Sequence, residues 1–379
     1  MSNTITNVLP KILAEGASAL RQQAVFPQLV NRDLQQYAQR KGNVVNVPIP
    51  SAIAARAVTP SVTFASNVDA SPTNAAVTLD QWYEAPINLS DNDLVSVDPM
   101  FLGMQASEAI KSLANNVDLF IWGKHTGFFG YTGTPGTTPF SGSMLNAANA
   151  KKVLSQNLAP IDNRRLVIDP SAEANAIMVP EVLRFDGRGD QGGILAGTIG
   201  TKLGFDWYMN QNITTFTPGT GWVTGFAVST TTGVAGASTL HILNATASGT
   251  IKVGDLFTMS TDSKQYVVTA AATASSTVGI DISVYPPLAQ AYAVGATLAV
   301  VASAYTVNMA FHRDAWAFAS RPLQQAFQAG NIFQLPTDPI SGIALRLELS
   351  RQYKQETLSY DILYGANVIR PELGAKVFG

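Results

Sequence analysis

The chain has 379 residues and no cysteine, and 13% of it is charged, with 24 Lys and Arg against 26 Asp and Glu for a net charge of -2. Soluble domains ordinarily carry about a quarter of charged residues, so neutral polar side chains or partner surfaces must cover much of this one. The missing cysteines remove disulfide scaffolds, thiolate metal sites and thiol chemistry, and the slightly acidic balance argues against a free-standing nucleic-acid binder, which needs clustered Lys and Arg.

The length predicts two or three domains with cores of their own. Residues 1–23 lack a basic segment followed by an unbroken apolar core, so no secretory signal is expected and synthesis is cytoplasmic. Residues 282–311 carry no charge, yet Pro286, Pro287, Gly295 and scattered polar side chains interrupt them, and no membrane span is expected.

Residues 8–41 read as a basic, partly helical arm, with Lys11, Arg21, Arg32, Arg40 and Lys41 against Glu15 and Asp33, broken at Pro27. From Val44 to Leu89 the texture becomes alternating Val, Ile, Ala, Thr and Pro, which predicts two long strands joined by a loose tip around residues 59–74. So little apolar density at the tip means that it needs another surface to lie on. A long helix follows, opened by Asp98 as N-cap with Pro99 at the first position, and carrying Leu102, Ala106, Ala109, Leu113, Val117 and Phe120 at spacings of three and four.

Residues 126–148, rich in Gly, Thr and Pro and without a charge, read as a surface loop. A short helix over 149–157, a strand over 165–169 and a helix over 172–179 between Pro170 and Pro180 come next, an α/β texture without regular βαβ repeats. From about Thr214 to Ala304 the chain turns to Thr, Ala, Ser, Gly and Val with period-two alternation between Gly and Ser turns, a small all-β module. The runs 204–214 and 304–320 on either side both read as strands of one parent domain, so the module interrupts that domain. Two strand-like runs, 343–354 and 358–374, close the chain.

Catalytic signatures are weak. The three histidines, His125, His241 and His312, fall in different regions and none has a second histidine at metal-ligand spacing. No Gly-x-Ser-x-Gly elbow or Walker A loop occurs. Gly187, Gly189 and Gly192 match the glycine-rich dinucleotide turn in letter, but the glycine-broken 193–200 cannot form the required helix and Asp190 opposes phosphate, so a flexible loop is expected. The tripeptide Arg188-Gly189-Asp190 within it reads as chance. Asp91, Asp93 and Asp98 are better explained as turn or helix caps than as a carboxylate pair. The sequons at Asn88, Asn212 and Asn244 carry no meaning without secretion.

The order of elements, together with Leu113-Ala114-Asn115-Asn116-Val117-Asp118-Leu119, the run Phe311-His312-Arg313-Asp314-Ala315-Trp316-Ala317-Phe318-Ala319 and the ending Tyr364-Gly365-Ala366-Asn367-Val368-Ile369-Arg370-Pro371-Glu372, resembles the coat proteins of short-tailed bacteriophages of the P-twenty-two type. The resemblance covers nearly the whole chain. It implies an α+β chain with the HK-ninety-seven-type phage capsid fold: an N-terminal arm over 1–42, an extended E-loop over 43–89, a peripheral domain with a long spine helix over 90–149, an axial domain with closing peripheral strands over 150–214 and 305–379, and a β-rich insertion domain over 215–304.

The implied function is that of a major capsid protein of a tailed double-stranded DNA bacteriophage, not an enzyme, self-assembling through pentamers and hexamers into an icosahedral head. Its partners would be further copies of itself, a scaffolding protein, a portal protein, a decoration protein and packaged DNA, the last through weak contact with Arg21, Arg32, Arg40 and Lys41. The resemblance implies no catalytic, cofactor-binding or metal-binding residue, no cofactor and no membrane, with assembly in the host cytoplasm and a final place in the virion. This insertion is poor in charge, which departs from insertions that make charged contacts elsewhere. Two alternatives are an encapsulin-like compartment shell protein and a β-rich carbohydrate-binding module, the latter suggested by Trp207, Tyr208 and Trp222.

Overall fold

The computed structural model describes residues 25–33, 43–51, 53, 55, 57, 58, 60, 70–92, 99–183, 199–229, 233–246, 248–262, 264–323, 332–334 and 343–379. It falls into two units, one of residues 1–116 with 316–369 and one of 117–315 with 370–379.

In the first unit the 14-residue strand Gln355–Val368 is the spine of a five-stranded antiparallel sheet. Leu345–Gln352 and Trp316–Arg321 pair with it in succession, and Ile332–Gln334 extends Leu345–Gln352. Gln81–Ser90 takes the opposite edge, since Leu363 and Tyr364 pair with it and with Trp316–Arg321 at once. The turn between the two closing strands places Lys354 at φ 54. Phe26, in the short helix Phe26–Leu29, meets Trp316 edge-on at 5.9 Å, and Asn31 bridges to Ala317.

The expected pair of long strands over 44–89 is three strands: Val44–Ile49, Thr73–Thr78 and Gln81–Ser90. The first two form an antiparallel hairpin with Val45 opposite Val77. Its alternating valines decide which face is buried: Val45, Val47 and Val77 turn inward while Val44 stays exposed. The break at Leu79 and Asp80 lets the chain leave the hairpin and join the sheet.

The 25-residue helix Pro99–Gly123 buries Ala106, Ile110, Leu113, Ala114, Val117, Ile121 and Trp122 along one stripe. The boundary between the two units falls within it.

The second unit is built on a seven-stranded mixed sheet whose centre is Tyr305–His312. That strand pairs antiparallel with Gly374–Phe378 on one side and Arg164–Ile168 on the other. Phe205–Met209 lies parallel to Arg164–Ile168, and Gly130–Thr132 parallel to Gly374–Phe378. Seven of the eight residues of the central strand are buried, as the near-continuous apolar run from Val307 to Phe311 requires of a strand covered on both faces. The helix Pro170–Ile177 is capped by Asp169, whose side chain accepts from the Ser171 N–H at 3.0 Å, so Pro170 is its first residue and not a barrier before it.

Residues 126–148 are not a surface loop. They contribute the strand Gly130–Thr132 and the start of the helix Leu145–Gln156, and they bury Phe128, Phe129 and Phe140. Three phenylalanines outweigh the loop-forming composition around them, because each buried aromatic ring removes a large apolar area from water.

Between Thr215–Phe216 and Tyr305–His312, which pair with each other, the chain makes a separate β module. Six strands run in the order Leu298–Val300, Leu256–Met259, Gln265–Val268, Ile280–Tyr285, Thr239–Leu243, Ala227–Val228. The sheet closes on itself: Ala227 bridges Thr297, the Val228 N–H donates to Ala296 O at 2.9 Å and the Leu298 N–H to Phe226 O at 2.9 Å. The result is a small barrel filled by Trp222, Phe226, Phe257, Tyr266, Ile282 and their neighbours. The side chain of Gln265 leaves the barrel and pairs with the edge strand of the parent sheet, accepting from the Tyr131 N–H at 3.0 Å and donating to Tyr131 O at 2.7 Å.

Candidate assembly surface

Among the described residues, the hairpin of the first unit has its core at its base. Val45, Val47, Val77 and Leu79 pack on Ala317, Ala319, Leu363 and Ile369 of the sheet, with Ile49 and Ala75 at the margin. Close approach makes this docking possible: a Cβ on Gly365 would lie 2.8 Å from the Thr78 carbonyl carbon and 3.1 Å from Leu79 Cα, so only glycine admits the hairpin backbone there. Asn367 Nδ2 donates to Ala76 O at 2.8 Å, and the Leu79 N–H to Asn43 O at 2.7 Å. Beyond the base, Ile53 is 66% and Val58 90% exposed.

Gln81–Ser90 presents a second exposed apolar feature. Trp82 is 63% exposed, yet its indole N–H is fixed by a 3.2 Å bond to Asp361, and Tyr83 stacks at 6.3 Å on Tyr364. Asp361 is itself buried and bound by Arg346 through two bonds, Nε to Oδ1 at 2.9 Å and Nη2 to Oδ2, while Glu348 lies 3.4 Å from Arg346. A fixed, exposed aromatic ring can be covered by a partner with little loss of side-chain entropy.

The residues weighed for chemistry are scattered. His125 is buried, with Nδ1 2.9 Å from Trp122 O, and desolvation, helped by Lys376, lowers its pKa to about 3. His241 pairs across the barrel wall with Asp281 at 2.8 Å. His312 is buried beside Asp314, whose N–H donates to Nδ1 at 3.2 Å, and burial lowers its pKa. Among the described residues no group of His, Cys, Asp and Glu could hold a metal ion, and no helix is long and apolar enough to cross a membrane.

The Asp91 carboxylate pairs with Arg351 at 2.8 Å, and Arg351 also binds Glu356 at 2.6 Å. Asp93, Asp98, the glycine turn 187–192 with its Arg188-Gly189-Asp190, and the arm residues Arg21, Arg40 and Lys41 lie outside the described residues. Trp207, Tyr208 and Trp222 form no common platform. Trp207 packs on Phe140 within the parent sheet, Tyr208 points to the opposite face, and Trp222 is in the barrel core with its N–H on Leu256 O at 3.1 Å. Asn244 is buried and donates to Thr224 O at 2.9 Å, which excludes it as a glycan acceptor in the folded chain.

Sequence reading missed the Trp82–Asp361–Arg346 set, because Trp82 lies 279 positions from Asp361 and only the strand register brings it beside the Arg346–Asp361 pair of the closing strands. The alternation in 345–364 was the available signal.

No curated protein matches the chain. The family model described as the B domain of distal tail protein pb9 matches residues 223–296, which lie within the barrel module. Among solved structures, one described as Mycobacterium phage Che8 is similar at 17% identity, covering 94% of this chain and 91% of that one with a TM-score of 0.51. Another, the capsid structure of the Cyanophage P-SCSP1u, is similar at 12% identity over 94% and 88% of the two chains, also at 0.51. A virus-like particle from Pyrococcus furiosus aligns at 8% identity over 97% and 98% with a TM-score of 0.46, too loose to weigh further. At these identities the likeness is one of fold: this chain is a mixed α and β protein with the architecture found in a phage capsid.

Proposed function

We propose that the chain is the major capsid protein of a tailed double-stranded DNA bacteriophage, with the HK-ninety-seven-type fold and a β-rich insertion, and with no catalytic role. Copies join through pentamers and hexamers into an icosahedral head, built in the host cytoplasm with a scaffolding protein and a portal protein and filled with DNA. The observation that carries this reading is the fold shared over nearly the full length of both chains with a cyanophage capsid. A hairpin with a core at its base and exposed Ile53 and Val58 beyond supports it, since a segment of that kind gains burial by lying on another subunit at about 25 cal/mol per Å² of apolar area. Head-to-tail contacts that close give rings, as capsomers require. The match of residues 223–296 to a domain of a distal tail protein agrees with a barrel that is a portable building block.

The test is electron microscopy with light scattering on the purified chain, alone and then with its scaffolding partner. Closed shells, or capsomers that the scaffold converts into closed shells, are the expected result. A monomer that stays inert to concentration and to the scaffold overturns the proposal.

A further inference from the structure

Four segments of the second unit converge on a buried polar cluster that the assembly reading does not use. Lys376, in the middle of Gly374–Phe378, is fully buried, with Nζ donating to Gly254 O at 3.4 Å and lying 5.9 Å from the centre of the Phe216 ring. Gly254 belongs to the barrel turn before Leu256–Met259 and sits at φ +96, where an added Cβ would be 2.8 Å from Thr126 Cβ. Its neighbour Asp255 is fully buried and is held by the N–H groups of Gly219 at 3.2 Å and Lys252 at 2.8 Å. Phe216 and Tyr305 are paired residues of the neck through which the barrel leaves the parent sheet. His125 packs edge-on against Phe216 at 5.6 Å. Among the described residues neither His125 Nε2 nor Tyr305 Oη finds a hydrogen-bond partner.

An ammonium group offers three donors, and one carbonyl at 3.4 Å answers only one of them. The site therefore disfavours charge on Lys376, and desolvation lowers its pKa from 10.5 to about 7 although Asp255 pulls the other way. The other groups that face the cluster are Lys252 beside Asp255, His125 from the turn after the long helix, Tyr305 from the neck and Tyr131 from the edge strand. Burial raises both tyrosines and Asp255 and lowers His125, so each is biased to its neutral form.

We propose that Lys376 is a proton-operated clasp between the barrel and the parent sheet: neutral, it holds the Gly254 turn, and when the barrel lifts from the sheet it meets water and takes up a proton. The lifted state binds more protons between the two pKa values, so its population rises as pH falls. The rise is about tenfold per pH unit from roughly pH 10 down to roughly pH 7, and it levels off below. The clasp thus works at the contact where Gln265 meets Tyr131, while the barrel, closed by its own hydrogen bonds, stays folded in both states.

Hydrogen exchange on the full chain from about pH 5 to about pH 9.5, a range that spans the plateau and the slope above it, corrected for intrinsic exchange rates, tests this without reference to shell formation. The Tyr131 N–H reports the contact, and the Val268 and Leu298 N–H groups report the barrel itself. Protection at Tyr131 is expected to fall close to tenfold per pH unit on acidification while the barrel amides hold steady, and Lys376→Met is expected to remove that slope. An identical slope in Lys376→Met, or Tyr131 exchanging in step with the barrel amides, overturns the proposal. Should that variant not fold, Asp255→Asn removes the opposing charge and moves the plateau to lower pH, and an unmoved plateau is equally fatal.

Discussion

The hairpin of the first unit and the barrel of the second are both excursions from a sheet, and they solve the problem of burial in opposite ways. The barrel joins its first and last strands and surrounds a core of its own, so Trp222, Phe257 and Tyr266 would be buried wherever the module stood. The hairpin stays two-stranded, and its inward valines are buried only where the sheet lies beneath them. A two-stranded ribbon is marginal in water by itself. One excursion is self-sufficient, and the other is dependent on what it touches.

The sharpest way to break that contrast is to remove the barrel's own support. Phe257→Ala should cost about 3–5 kcal/mol of barrel stability, read as a separate early transition in urea followed by Trp222 fluorescence, with amide protection in Trp316–Arg321 unchanged. Loss of protection in both places would mean that the barrel is not self-sufficient. For the hairpin, Gly365→Ala should cost about 1–3 kcal/mol through the clash with Thr78. The loss should appear as faster exchange of the Leu79 N–H, which bonds Asn43.

Acid separates the regions as well. His125 stays neutral in the folded chain down to about pH 3, whereas the unfolded chain binds its proton near pH 6.5. Stability is therefore lost as pH falls through that interval, about 2 kcal/mol by pH 5. His125→Gln should flatten this part of a stability-against-pH curve, and an unchanged curve would reject the assignment. The smallest change in stability, within about 0.5 kcal/mol, is expected on deleting residues 60–70 from the hairpin. The same deletion should abolish shells in electron microscopy, and normal shells would remove the hairpin from the assembly surface.

Elements with a strong period were legible from the chain alone. The long helix was expected to start at Pro99 after an Asp98 cap and to run through Phe120, and it is described over Pro99–Gly123, because the spacing of Ala106, Leu113 and Val117 matches a helical turn and Pro99 favours a helix start. The alternation of Leu345, Leu347, Tyr360 and Ile362 likewise marked paired strands. Composition misled where a few bulky residues outweighed many small ones, as with Phe128, Phe129 and Phe140 in the 126–148 stretch. The candidate assembly surface was half legible: a hairpin without a core of its own showed in the pattern, but the glycine that admits its base did not. Gly365 is one of 30 glycines and nothing local singles it out. Lys376 was equally silent, since a lysine between Ala375 and Val377 reads as an ordinary strand residue until the barrel is seen to bury it.

The pairing of Gln265 with Tyr131 carries one more consequence. A sheet edge that ends in open backbone groups is a template for uncontrolled strand addition. At the Gly130–Thr132 edge, a single side-chain amide supplies one acceptor and one donor, the pair that an incoming strand would have offered. The sheet is thus terminated by a side chain of its own subunit at that point, and stray strands find no vacancy at Tyr131. Any chain that approached this edge would find the Tyr131 N–H and C=O already bonded.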